Sequence, residues 1–165
     1  MDRLILFRHG KAEHESASGE DFDRRLAPRG VRESAEMGET LARLGLTPNL
    51  ALVSPAARAR ETWAAAEASF PKAEVRLEPE LYNADPGAIR QAAEAAGRAG
   101  ATVMVVGHNP GLQELAVRLL MEGSSPPALV ARAQRQFPTA AAAVFLIDSN
   151  GRPSFDGLFF PERGG

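Results

Sequence analysis

The sequence predicts a single α/β domain over residues 1–165, with a mostly parallel central sheet and helices on both faces. Three observations predict it. Short, continuous apolar runs such as Leu4-Ile5-Leu6-Phe7, Leu50-Ala51-Leu52-Val53 and Thr102 to Val106 have the pattern of strands buried on both faces. Stretches of helical periodicity separate those runs. No repeat and no long linker divides the chain, and 165 residues suit one core rather than two.

In chain order, Leu4 to Phe7 is the first strand, stopped by Arg8-His9-Gly10. Lys11 to Arg25 is polar and aperiodic and reads as a surface loop. Pro28 suits the first turn of a helix, whose stripe of Val31, Ala35, Gly38, Leu41 and Ala42 ends near Gly45. Leu50 to Val53 forms a second strand, followed by an Ala-rich helix through Ala68 with Trp63 as a core anchor. Val75 and Leu77 mark a short third strand. Asp85-Pro86 reads as an N-cap with proline at the first helical position, opening a helix to Ala96. Thr102 to Val106 is the fourth strand, cut off by Gly107-His108-Asn109-Pro110, and Leu112, Leu115, Ala116, Leu119 and Leu120 stripe the next helix. Gly123 to Pro127 reads as a connector. Ala143 to Ile147 is a strand, and the Ser149-Asn150-Gly151 turn leads to a last one around Phe155 to Phe160.

The formal net charge of −2 argues against a nucleic-acid binder, which carries a clustered basic excess. No apolar run approaches the roughly 20 residues that span a bilayer, and no signal-peptide core is visible, so a cytoplasmic protein without a membrane partner is expected. Cysteine is absent, which removes thiolate chemistry and thiolate metal sites. No metal and no cofactor are expected, because neither a His-x-x-x-His pair nor a nucleotide-binding glycine loop occurs.

The chemistry is expected at the carboxyl edge of the sheet, where open α/β folds bind ligands. Three strand ends place polar groups there: Arg8-His9, Ser54 with Arg58 a turn further on, and His108. If these strands are neighbours, two imidazoles and two guanidiniums converge, an arrangement that makes sense around a dianion. A phosphoryl group is such a dianion, accepting two-pronged contacts from arginine and attack by a neutral imidazole. The arginines would also hold His9 protonation near or below its ordinary value of about 6.5, so that the rate falls at acid pH. Thr62 shares a helix face with Arg58, while Arg60 points elsewhere. Lys11, Arg24, Arg25 and Arg29 could extend a positive rim or simply be solvated, and His14 reads as surface.

The segment Leu4 to Gly10 resembles the Arg-His-Gly signature of the histidine phosphatase superfamily. Ser54 to Thr62 looks like that family's Ser-Pro-x-x-Arg-x-x-x-Thr segment, and Val105 to Leu112 is similar to the one carrying its second histidine. Leu26 to Gly30, Glu80-Leu81-Tyr82, Gly107 to Gly111 and Phe137-Pro138-Thr139 resemble the SixA-type phosphohistidine phosphatases more closely. The resemblance runs from Leu4 to Pro161. It implies His9 as the catalytic nucleophile, with Arg8, Arg58 and His108 binding phosphate. Larger members use an acidic residue after the third strand; here Glu80 lies in that region with Glu78 close by, and a surface role for Glu80 stands beside a catalytic one. Those members also insert a helical cap there, for which Leu81 to Ala101 leaves no room. The implied activity is removal of phosphate from a phosphohistidine protein through a covalent intermediate on His9. The alternatives are a small-molecule phosphomonoesterase or mutase of the same superfamily, and a non-catalytic module binding phosphorylated partners.

Overall fold

The computed structural model describes residues 1–163. One six-stranded sheet forms the centre, made of β1 (Arg3–Arg8), β2 (Leu50–Val53), β3 (Glu74–Leu77), β4 (Thr102–Gly107), β5 (Ala142–Ile147) and β6 (Pro153–Phe159). Their spatial order is β3-β2-β4-β1-β5-β6. The first four run parallel, and β5 and β6 are antiparallel additions beside β1. Five α-helices are described: α1 (Pro28–Arg43), α2 (Ala57–Ala66), α3 (Pro86–Ala96), α4 (Gly111–Glu122) and α5 (Pro127–Arg135). No cap intervenes between β3 and β4, where a 3-10 turn and α3 take up the chain.

Alternation along the strands divides the core into two layers. Ile5, Phe7, Ala51, Val53, Met104 and Val106 face α1 and α2, where they meet Met37, Leu41 and Trp63. Leu4, Leu6, Leu52, Val103 and Val105 face the other way, onto Ile89 of α3, the Leu112, Leu115 and Leu119 stripe of α4, and Ala133 of α5. Both layers are what continuous apolar runs in central strands require.

The helix ends follow their sequence signals. Pro28 and Pro86 occupy first turns, and the Asp85 carboxylate accepts a hydrogen bond from the Ala88 N–H at 2.8 Å. Gly45, at φ +73°, turns the chain away after α1. Gly30 has a different duty. A Cβ there would lie 2.1 Å from the Lys11 carbonyl oxygen, so α1 can press against the loop after β1 only with glycine at this point.

One sequence expectation, the α1 stripe, is corrected, and two features go beyond the sequence reading. The Gly123 to Pro127 connector is followed by helix α5, an element the sequence did not predict. Val31 is exposed, and α1 instead buries Glu33 and Ser34 alongside Met37 and Leu41. Both apolar residues of β3, Val75 and Leu77, are exposed on this edge strand.

Candidate active site

Strand β4 lies between β1 and β2, with Gly107 opposite Arg8 and Val106 opposite Val53. The chain therefore leaves three adjacent parallel strands at one edge, and His9, Ser54 and His108 emerge side by side. The His9 and His108 rings sit 5.2 Å apart, centroid to centroid. His9, Arg58 and His108 are all buried.

Each side chain is held from behind. The Thr62 hydroxyl accepts from the Gly10 N–H at 2.9 Å and donates to the Arg58 carbonyl at 2.7 Å, pinning the turn after β1 to α2. Helix α1 packs so close beneath this turn that a Cβ on Gly10 would meet the Gly30 carbonyl at 2.6 Å. The His9 main chain is clamped by N–H to the Gly107 carbonyl, 3.0 Å, and by the Ala140 N–H to its own carbonyl, 3.0 Å. Arg8 donates through Nη1 to the Phe137 carbonyl at 3.0 Å, on the β5 side of the pocket.

The hydrogen bonds also fix where the protons sit. His9 Nδ1 is 2.7 Å from the Gly10 carbonyl, which can only accept. Nδ1 therefore carries the hydrogen, and the neutral ring keeps its lone pair on Nε2. Burial is the main force holding the ring neutral, pushing its pKa down to about 3, with help from His108, Arg58 and Arg8 against the opposing Gly10 contact. The sequence expectation had the direction right but credited the arginines. His108 is lowered to about 4, again chiefly by burial and then by Arg58. Its Nε2 meets Ser54 Oγ at 2.7 Å. A ring that accepts the Ser54 proton there carries its own proton on Nδ1, as a donor.

Three buried nitrogens in this cluster have no hydrogen-bond partner: Arg8 Nε, Arg58 Nε and His108 Nδ1. Unmet buried donors are costly, on the order of 1–3 kcal/mol each, and cluster where a ligand belongs. An oxyanion with several acceptor lone pairs satisfies such a set.

Two residues overlooked in the sequence complete the wall. Asp21, from the loop read as aperiodic, accepts from Arg58 Nη2 at 3.1 Å and from the Tyr82 hydroxyl at 2.6 Å, and its carbonyl accepts from Arg58 Nη1 at 2.9 Å. Tyr82 stands edge-on to His108 at 5.6 Å. These donors, Tyr82 first, hold the Asp21 carboxyl down at about 2. Thus Tyr82 reaches the pocket, two residues beyond Glu80. Glu80 is exposed and acts on Glu78, whose carboxyl is pushed up by burial and then by Glu80 itself. The rim cations Arg24, Arg25 and Arg29 are engaged by Asp21, Glu61 and Glu33, and His14 is exposed. Among the described residues no group of three His, Asp or Glu is arranged to hold a metal ion, and no helix is long and apolar enough to cross a membrane.

The family model of the histidine phosphatase superfamily (branch 1) matches residues 4–143. The chain belongs to that superfamily. Among solved structures it is similar to the proposed phosphohistidine phosphatase SixA of Agrobacterium tumefaciens, at TM-score 0.81 and 28% identity over 97% of this chain and 98% of that one. It matches a protein histidine phosphatase SixA complexed with tungstate at TM-score 0.76 and 26% identity, over 94% and 95% of the two chains. An uncharacterised protein of Mycobacterium tuberculosis, Rv1276c, is 34% identical over 85% of this chain and 86% of its own. Within the histidine phosphatase superfamily the chain is therefore of the SixA type, and its role is that of a phosphatase.

A buried, neutral His9 makes the pH response specific. We expect kcat/KM, corrected for titration of the substrate phosphate, to stay level down to about pH 5 and fall only as pH approaches 4 to 3. That ratio reports the free enzyme. An acid limb centred near 6.5 would mean that His9 is not held neutral by burial.

Proposed function

We propose that the protein is a metal-independent phosphohistidine phosphatase acting on a phosphorylated protein of the cytoplasm. His9 Nε2 attacks phosphorus in line, the bond to the substrate imidazole breaks, and that imidazole leaves with a proton. Water then attacks the phosphohistidine on His9, releasing inorganic phosphate and restoring the neutral ring. Arg8, Arg58 and His108 bind the equatorial oxygens through both steps, where charge is most concentrated. Glu80, two residues from Glu78, is the candidate acid and then base.

The observation that carries this reading is the match between one free lone pair and three unmet donors. A tautomerically fixed His9 shares its buried cluster with Arg8, Arg58 and His108, whose Nε, Nε and Nδ1 have no partner. A module that only bound phosphate would need the donors and not the nucleophile.

The absent cap favours a protein substrate over a sugar phosphate. With no lid, a small ester gains few contacts beyond its phosphate, whereas a phosphohistidine on a protein surface meets the pocket rim as well. Exchange between two imidazoles also replaces a bond by its like, so a strong acid for the leaving group matters less. We expect kcat/KM for a phosphohistidine protein to exceed that for small phosphate esters by at least roughly tenfold, about 1.4 kcal/mol of transition-state binding. The assay is run in the presence of a chelator, and acid-labile label on His9 is trapped by rapid quenching. Equal efficiency on a sugar phosphate would favour a small-molecule phosphomonoesterase, and loss of activity on chelation would remove the metal-independent reading.

A further inference from the structure

Helix α5 ends at Arg135, and the chain then turns through Phe137 towards β5. After β6 the chain runs back along this turn as Phe160-Pro161-Glu162-Arg163. Between the two segments lies a groove of about 490 Å³ that shares Arg8 with the candidate site. Arg135 and Arg163 line it too, with Phe137 and Phe160, and among the described residues no carboxylate side chain lines it.

These cations are arranged for different tasks. Arg163 is fixed: its Nε and Nη2 reach the two oxygens of buried Glu33 at 3.0 and 3.1 Å, and Nη2 also meets Thr139 Oγ1 at 3.0 Å. Arg132 lies over the Phe160 ring at 4.6 Å. Arg135 is exposed, and among the described residues it makes no ion pair and no side-chain hydrogen bond. Arg8 is pressed by its neighbours, its pKa lowered first by burial and then by Arg163 and Arg58. The far side of the same tail is mainly acidic, a groove of about 460 Å³ lined by Glu33, Glu36, Glu39 and Glu162 with Arg43 among them. A chain of net charge −2 therefore sets Arg8 and the unpaired Arg135, with the Glu33-paired Arg163, along one groove beside its candidate site.

We propose that the Arg8–Arg135–Arg163 groove is a substrate subsite for the carboxylates of an acidic segment flanking the scissile phosphoryl group. The assignment rests on the phosphoprotein reading above. Arg8 is the shared point: a segment whose phosphoryl group contacts Arg8 has the groove beside it. Complementary charge there raises the encounter rate and suppresses wrong partners.

The test is a charge swap. Phosphohistidine peptides that differ only in flanking Glu, Gln or Lys are compared in the wild type and in Arg135→Glu, with p-nitrophenyl phosphate alongside as a gauge of the pocket. Wild type should prefer the Glu peptide over the Gln peptide by roughly five- to tenfold at low salt, and the preference should shrink as salt rises. Arg135→Glu should abolish that preference and favour the Lys peptide. Equal wild-type rates on the Glu and Gln peptides would overturn the proposal, as would an Arg135→Glu variant that still prefers Glu. If no peptide is cleaved while p-nitrophenyl phosphate is, the phosphohistidine reading fails. The same charge swap is then read on carboxylated and neutral aryl phosphates. There, persistence of the swap supports the subsite, and its absence overturns it.

Discussion

His9→Ala is expected to lower turnover by at least roughly 10³-fold, the scale on which loss of a covalent nucleophile acts. No nearby group can take its place. His108 is the other imidazole, but its Nε2 is engaged by Ser54. The fold should persist, because the His9 side chain contributes one hydrogen bond, to the Gly10 carbonyl of its own turn, and the backbone clamps at this position do not involve the ring. Rapid-quench measurement of labelled enzyme and a thermal melt check both halves. A variant near wild-type rate would remove the nucleophile assignment. A second signature concerns acid stability. With a folded-state pKa of about 3 against about 6.5 unfolded, the unfolded chain binds the His9 proton first as pH falls. The stability present above pH 6.5 is lost progressively towards pH 3. His9→Ala should therefore lose less stability than wild type between pH 6.5 and 4, as read by denaturant melts across that range.

Arg58→Lys is expected to reduce kcat/KM by roughly 10²- to 10³-fold, comparable to removing a donor aimed at developing negative charge. Buried Arg58 works as a planar three-nitrogen unit. Nη1 and Nη2 are spent on the Asp21 carbonyl and carboxylate, leaving Nε unpartnered. A lysine ammonium is a single point and cannot hold Asp21 and reach phosphate from separate nitrogens. Arg60→Lys is the natural comparison, since Arg60 is exposed and donates to the Pro55 carbonyl. It should stay within about twofold of wild type. Steady-state kinetics of the pair decide the matter, and equal rates in the two variants would place Arg58 outside the reacting centre.

The sequence made the strand ends legible because continuous apolar runs and abrupt polar stops leave little choice of where the sheet edge lies. His9, Arg58 and His108 could be nominated before their strands were known to be neighbours. What stayed hidden depends on closure of the chain. Asp21 sits in a stretch without periodicity, and only the folding of that loop over α2 brings it to Arg58 and Tyr82. Glu33 reads as a solvent-facing charge on α1, yet it turns inward because Arg163, far along the chain, arrives to pair with it. The direction of β5 was equally unreadable, since its apolar run would suit a parallel or an antiparallel neighbour. Helix α5 is short and follows Gly123 to Pro127, so its two turns gave too little period to stand out.

The place of β1 in the sheet has a consequence for how the protein is made. Of the six strands, β1, which carries Arg8 and leads to His9, is made before its sheet partners, and both of them come much later: Arg3 pairs with Thr102 on one side and Leu146 on the other. At roughly 5–20 residues per second, on the order of ten seconds pass on the ribosome before either partner emerges. During that interval Leu4-Ile5-Leu6-Phe7 is an unpaired apolar strand, of the kind that recruits chaperones or aggregates. Loop-closure entropy must also be met across that whole separation before β1 is rewarded with contacts. The strand leading to the proposed nucleophile thus waits for both of its neighbours before it can join the sheet.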